Sequence, residues 1–173
     1  VNILLAHGYV RTGFEHFALP TDAVAKAAKK KTALYNSLGS TSGDVGNIIT
    51  VGKSAYSTIG KYYFQAPYDQ EDYSHFLNKG EVPIYRGYQL SEDDFIRREI
   101  IKSIRTFFEY DFSNLEFNNS YMEIFSNEFE NLKEFEEDGL IEIDNKKIIL
   151  TENGKHFSNL IGSVFDKYVK RKP

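Results

Sequence analysis

The sequence predicts an α+β fold with a helical, winged-helix-like second half. Three observations lead there. Short β-prone runs alternate with turn-rich stretches up to about residue 90. From Ser91 onward, apolar residues recur at helical spacing. Near the end Asp138-Gly139 turns into a hairpin, so the second half reads helix, helix, helix, hairpin, helix.

Asn2–His7 is expected to be a short helical tail, with Gly8 at the position that ends a helix. Tyr9–Phe14 reads as a strand. Thr21 is placed to cap a helix over Ala23–Lys31. Its basic end (Lys26, Lys29, Lys30, Lys31) suits the helix dipole, or an anionic ligand. Residues 35–47 are polar and turn-rich, a loop long enough to suspect function. Ile48–Val51 is a short β run. The small residues of Gly52–Ser57 let a backbone approach a ligand closely. Tyr62–Gln65 is a strand, Asp69–Asn78 a helix ended by Gly80, and Tyr85–Leu90 extended.

Ser91 caps the next helix, with Asp94 three residues on. Ile96, Ile100, Ile104, Phe107 and Phe108 form its apolar face. Short helical segments follow a break at Asp111–Asn114. Ser126–Asp138 then carries the stripe Phe125, Phe129, Leu132, Phe135. The hairpin pairs Leu140–Ile143 with Lys147–Leu150. Thr151 caps a last amphipathic helix whose face is Phe157, Leu160, Ile161, Val164, Phe165 and Tyr168.

At 173 residues, 41% hydrophobic and 27% charged, the chain is long and apolar enough for a real core. No apolar run approaches the roughly 20 residues of a membrane span. No signal peptide or twin-arginine leader is visible, so a cytoplasmic location is expected. Residue 1 is Val and the single Met is Met122, so the chain is expected to be a piece of a longer protein. With no Cys, it can hold no disulfide and no thiolate-bound zinc or iron–sulfur cluster. His7, His16, His75 and His156 share no helical spacing, so no metal is expected to bind this chain alone. Ser54 and Ser57 lack a neighbouring base, and Gly52-Lys53-Ser54 has Asn47 where a phosphate loop needs Gly.

Residues 1–90 carry nine Lys and Arg against seven Asp and Glu; residues 91–173 carry twelve against eighteen. The helix in the DNA-reading position bears Glu128, Glu130, Glu134, Glu136, Glu137 and Asp138 against one Lys133. Those carboxylates would repel a polyanion, so no nucleic-acid partner is expected. A stand-alone winged-helix interaction module is the reading this weighs against.

Several segments in order resemble the C-terminal part of oxygen-independent coproporphyrinogen III oxidases, a HemN-like radical-SAM family of haem biosynthesis. Gly13-Phe14-Glu15-His16-Phe17-Ala18 is similar to the family's Gly-Met-Asp-His-Phe-Ala. Gly52-Lys53-Ser54-Ala55-Tyr56-Ser57-Thr58-Ile59-Gly60 resembles Gly-x-Ser-Ala-Ile-Ser-x-Ile-Gly. Arg86-Gly87-Tyr88-Gln89-Leu90-Ser91 resembles Arg-Gly-x-x-Leu-Thr, and Ile96–Ile104 resembles Ile-Arg-Arg-x-x-Ile-Lys-Ser-Leu. Asp138-Gly139-Leu140, Leu150-Thr151 with Gly154-Lys155, and Val164–Tyr168 complete the set.

The resemblance implies that residues 1–60 are the last units of a partial (β/α) barrel, 61–90 a connecting segment, and 91–173 the helical C-terminal domain that helps close the substrate cleft. It implies a 4Fe-4S cluster and S-adenosylmethionine, held by a Cys-x3-Cys-x2-Cys loop in a preceding radical-SAM domain of the same polypeptide. It further implies a tetrapyrrole substrate, an oxidoreductase activity that turns two propionates of coproporphyrinogen III into vinyl groups, and no catalytic residue or activity in this chain alone. Tyr56 stands where the family's Ile lies beside a second S-adenosylmethionine. Ser37 and Leu38 stand where its Phe-Gln approaches the same cofactor. These departures suggest a divergent member with an altered substrate. His16, Arg97 and Arg98 are the substrate-binding candidates, the arginines through a carboxylate of the protein or of the substrate. A haem-chaperone branch is the alternative, but Tyr35-Asn36-Ser37-Leu38-Gly39 lacks its His-Asn-x-x-Tyr-Trp and the chain has no Trp.

Overall fold

A computed structural model describes residues 1–36, 39–43, 46–115, 121–144 and 146–169. In chain order it contains α1 (Asn2–Ala6), β1 (Val10–Arg11), β2 (Phe17–Ala18), α2 (Ala23–Lys29), β3 (Leu34–Asn36), β4 (Gly39–Thr41), β5 (Tyr56–Ile59), β6 (Tyr62–Gln65), α3 (Gln70–Asn78), β7 (Arg86–Gln89), α4 (Glu92–Phe107), β8 (Glu109–Asp111), α5 (Tyr121–Ile124), α6 (Ser126–Glu137), β9 (Ile141–Asp144), β10 (Lys147–Leu150) and α7 (Ser158–Gly162). The fold is α+β. It forms two compact units, residues 1–43 with those from Arg97 onward, and residues 44–96. Within the second, β5, β6 and β7 are hydrogen-bonded into one sheet spanning residues 56–89.

In the first unit, β1 pairs antiparallel with β2, Val10 opposite Ala18. The expected strand over Tyr9–Phe14 is shorter, because Thr12 N already donates to His16 O at 2.8 Å and turns the chain. Asp22, not Thr21, caps α2: its backbone is extended and its carboxylate accepts from Val24 N at 2.7 Å. The stretch read as a loop holds the β3–β4 hairpin, with Tyr35 opposite Ser40 and Asn36 opposite Gly39. Two three-residue strands are too short to show alternation. Ser37 and Leu38 lie outside the described residues.

α4 buries Ile100 and Ile104 completely. Each is worth roughly 1.5–3 kcal/mol of apolar transfer. Phe108 ends the helix with φ +61, a position that usually takes glycine. The chain turns there directly into β8, which the sequence did not announce. β8 joins the hairpin to give the antiparallel order β8-β10-β9, with Ile148 opposite both Tyr110 and Ile143. The expected long last helix is three short pieces, 3-10 turns at Gly154–Phe157 and Ser163–Phe165 flanking α7. Ile161, Val164 and Phe165 are buried, while Phe157, Leu160 and Tyr168 of the expected face are exposed. The segment begins pressed on the hairpin: a Cβ at Gly154 would lie 1.8 Å from Leu140 O.

In the second unit, β6 is the central strand between β5 and β7. Of the expected run Ile48–Val51, Ile48 alone bridges, to Thr58. Asp69 caps α3 through Glu71 N and Asp72 N. The cap of α4 is reciprocal: Ser91 N donates to Asp94 Oδ2 at 2.9 Å, and Asp94 N donates to Ser91 Oγ at 3.2 Å.

Glu109 ties β8 to β10 and to the chain after α2. Burial pushes its carboxyl up, but Lys31 and Lys147 (2.9 Å) outweigh burial and hold it below its ordinary 4.5. A depressed carboxyl stabilises the fold fully above its unfolded pKa, and that contribution is lost as pH falls through the folded value. The stability difference between the native chain and Glu109→Gln is therefore expected to shrink in urea titrations from pH 7 to pH 3. A gap that stays constant would reject the linkage. Gly154→Ala is expected to cost about 3 kcal/mol through backbone overlap. Gly139→Ala, with φ +67 but open space around it, costs about 1 kcal/mol. Denaturant midpoints of the two variants check the order.

Candidate functional site

In the first unit, His16 is gripped by two glycines. A Cβ on Gly39 would lie 3.0 Å from His16 Nε2, and one on Gly13 would lie 3.9 Å from Nδ1 and 3.4 Å from Ser40 Oγ. Nδ1 and Ser40 Oγ are buried without a hydrogen-bond partner among the described residues. The imidazole meets Tyr35 edge-on at 5.7 Å. Arg105 lies over the other side of this ring system, 4.6 Å from the Tyr35 centroid, and its Nη2 donates to Tyr35 Oη at 3.0 Å. Arg105 O accepts from Phe14 N at 2.9 Å. Arg105 thus ties α4 both to the His16 loop, at Phe14, and to Tyr35 of β3.

Arg97 has the protein carboxylate that the sequence allowed for. Its Nη1 donates to Glu128 Oε1 at 2.6 Å and to Phe165 O at 3.2 Å, and its guanidinium lies 5.0 Å from the Phe125 centroid. Both partners are largely buried, 13% and 14% exposed. Arg98 Nε donates to Glu99 Oε1 at 3.1 Å, which also takes Lys102. One of the five carboxylates of α6 is therefore internal. A second, Glu136, accepts from Ile143 N at 3.2 Å.

A cavity of about 500 Å³ in the same unit is lined by Arg11, Lys26, Lys29, Lys31, Phe107 and Phe108 among others. Arg11 is already committed, donating to Phe14 O at 2.7 Å and Lys155 O at 3.0 Å, and Lys31 pairs with Glu109.

In the second unit, Tyr56 stands on one face of the sheet. Cross-strand register places Tyr56, Gln65 and Arg86 in one row and Thr58, Tyr63 and Tyr88 in the next. The Tyr56 ring leans on Tyr63 at 5.5 Å. Burial pushes the Tyr56 phenol up, Tyr63 adds to this, and Arg86 pulls it back. The small-residue turn before Tyr56 spends its own N–H groups internally: Gly52 N donates to Tyr73 Oη and Ser54 N to Pro67 O. Gln65 and Arg86 were not singled out from sequence. Their relation to Tyr56 depends on strand register, which no local pattern reveals.

Among the described residues, no three His, Asp or Glu side chains gather as metal ligands. Among the same residues, no helix is long and apolar enough to cross a membrane.

Residues 90–157 match the HemN C-terminal domain family. The chain is 35% identical to an oxygen-independent coproporphyrinogen III oxidase of Pseudomonas aeruginosa, over 96% of this chain and 36% of that protein. It is 30% identical to the Escherichia coli protein of the same name, over 99% of this chain and 38% of the other. It superimposes on the solved coproporphyrinogen III oxidase (HemN) of Escherichia coli, described as a radical SAM enzyme, with a TM-score of 0.91 at 30% identity. That superposition covers 97% of this chain and 39% of the other. The chain thus spans little more than a third of the proteins it matches.

The buried placement of Arg97 and Glu128 sets an expectation for a double-mutant cycle of Arg97→Ala and Glu128→Ala. Thermal or urea unfolding is expected to give a coupling of about 1–3 kcal/mol. A coupling below about 0.5 kcal/mol would mark the pair as solvated.

Proposed function

We propose that this chain is the C-terminal portion of an oxygen-independent coproporphyrinogen III oxidase and serves that enzyme as the part that completes and helps close the substrate cleft. The reaction on this reading is the oxidative decarboxylation of two propionates of coproporphyrinogen III to vinyl groups. The observation that carries it is the match to the Pseudomonas aeruginosa oxidase at 35% identity over 96% of the chain.

The cluster of a radical-SAM enzyme needs thiolate ligands, and this chain has no cysteine. No residue here fits it, and it is assigned to a preceding domain of the polypeptide. S-adenosylmethionine bound there supplies the hydrogen-abstracting chemistry. What this chain contributes is shape and position. Tyr56, its ring leaning on Tyr63, is the residue of this chain that would flank a second S-adenosylmethionine, with a bulk that narrows that place. Arg97 acts as a positioning residue, since its fork is engaged with Glu128 and Phe165 O. His16, wedged between Gly13 and Gly39, fixes the loop that leads into α2. Arg98, the other candidate on α4, shares Glu99 with Lys102, so it too acts on this reading by positioning.

The test is made on the longer protein that carries this chain, reconstituted anaerobically with iron and sulfide. It is supplied with S-adenosylmethionine, a reductant and coproporphyrinogen III, and the porphyrins are separated by chromatography. Loss of two carboxyl groups is the expected outcome. A protein that cleaves S-adenosylmethionine but leaves the substrate intact would overturn the oxidase reading and favour a haem-handling relative. Absence of a three-cysteine motif upstream would sink both.

A further inference from the structure

We propose that Arg86, held in place by Gln65 and Tyr68, forms with Tyr56 a binding site for a carboxylate carried on a flat, apolar body. The site rests on the geometry of the second unit; the choice of ligands for its test rests on the oxidase reading above.

An arginine on an exposed edge strand is ordinarily loose, with about 2 kcal/mol of rotamer entropy to lose on binding. Arg86 is not loose. Its Nε donates to Gln65 Oε1 at 2.8 Å, and its Nη2 donates to Tyr68 Oη at 3.3 Å. Gln65 is itself 9% exposed, and its amide donates to Tyr68 Oη at 2.7 Å and Ser54 O at 3.3 Å. A buried amide must satisfy its donors and acceptor. Here its acceptor is spent on one edge of a guanidinium. The Tyr68 ring supports the same group, 6.0 Å from its centroid. Gly87 keeps the strand close: a Cβ there would lie 3.2 Å from the Phe64 ring.

This bracing engages Nε and one terminal nitrogen. Nη1 keeps its donors, and among the described residues no carboxylate pairs with Arg86. The positive charge is therefore presented outward on a preorganised fork, the geometry that recognises carboxylates. Tyr56 stands in the same cross-strand row, with Gln65 between it and Arg86. Its phenol carries its proton at neutral pH, with burial pushing the pKa further up, and so can donate. Tyr56, Tyr63 and Tyr68 supply an aromatic surface for the rest of the ligand.

Two sources fit this chemistry, a tetrapyrrole propionate and the amino-acid carboxylate of an S-adenosyl cofactor. The 173-residue chain is titrated calorimetrically with coproporphyrin and with S-adenosylhomocysteine, each also as its methyl ester. Circular dichroism confirms that every variant stays folded. The expected result is that Arg86→Gln weakens one ligand about tenfold or more. Arg86→Lys should restore only part of the loss, because it keeps the charge and loses the fork. Gln65→Leu should weaken the same ligand by releasing Arg86. Methyl esters should bind native and Arg86→Gln chains alike. An effect on coproporphyrin alone assigns the propionate; an effect on S-adenosylhomocysteine alone assigns the cofactor. Affinities untouched by Arg86→Gln, or no binding of either ligand, would overturn the site. Conversion of coproporphyrinogen by the longer protein without Arg86-dependent binding would remove this inference and leave the oxidase reading. Arg86-dependent binding without conversion would do the reverse.

Discussion

Phe112 is the residue on which the larger unit depends. It is 2% exposed, and five rings surround it: Tyr110 at 4.8 Å, Tyr121 at 5.0 Å, Phe129 at 5.3 Å, and Phe125 and Phe165 at 6.1 Å. These come from β8, α5, the junction before α6, α6 itself and the C-terminal 3-10 turn. Aromatic pairs are worth about 0.5–1.5 kcal/mol beyond their buried area, and this geometry is tilted or edge-on for most of them. The backbone serves the same end. Asp111 accepts from Ser113 N to start a tight turn, and Phe112 N donates to Lys146 O at 2.8 Å. Phe112 is thereby driven inward at the point where β8 leaves the sheet. β8, the α5–α6 helix pair and the C-terminal 3-10 turn are thus fastened by one side chain, and its backbone N–H ties the same point to the hairpin turn.

Arginine is used repeatedly in the same physical way, over a ring and against a fixed acceptor. Arg11 lies 5.0 Å from the Phe108 centroid, Arg97 over Phe125, Arg105 over Tyr35 and Arg86 over Tyr68. A guanidinium is weakly hydrated and planar, so it covers apolar faces that lysine would leave wet. The difference lies in what closes each fork. Arg97 meets a carboxylate and a carbonyl, and Arg11 meets carbonyls. Arg86 meets neutral oxygens of Gln65 and Tyr68, which orient it without neutralising it. Arg11 and Arg105 likewise meet neutral oxygens, but Arg11 closes on backbone carbonyls of two segments, whereas Arg86 keeps a terminal nitrogen turned away from its braces.

Much of the fold was legible in the sequence where a single element carried its own signal. Tyr62–Gln65 is a short aromatic run flanked by Gly60-Lys61 and Pro67, which marks a strand. Ser91 and Asp94 cap α4 as their spacing demands, and Asp138-Gly139 opens the hairpin. The failures have two causes: the β3–β4 hairpin is local but its three-residue strands are too short to show a pattern, while β8 and the broken C-terminal helix depend on partners more distant in sequence. Three residues of β8 have no pattern of their own, yet they find β10 because Phe108 turns the chain. Thr21 and Asp22 both look like caps, and only the backbone angle at Asp22 decides between them. The site was less legible still. Tyr56 could be placed by resemblance alone, whereas Glu128 lies 31 residues from Arg97 and Arg86 lies 21 from Gln65.

Tyr56 also shows why a large departure from a family's small apolar residue need not damage a sheet. An isoleucine in that row would face Gln65 and leave its amide to the solvent side. The tyrosine ring instead leans diagonally onto Tyr63 at 41° and screens the row from one side. The Gln65 side chain, turned toward Ser54 and Tyr68, leaves room for that lean. The exchange therefore needs no cavity and no strand shift. It adds a phenolic hydroxyl to a face that already holds a braced guanidinium, changing the chemistry of the row from apolar contact to anion recognition while the register stays the same.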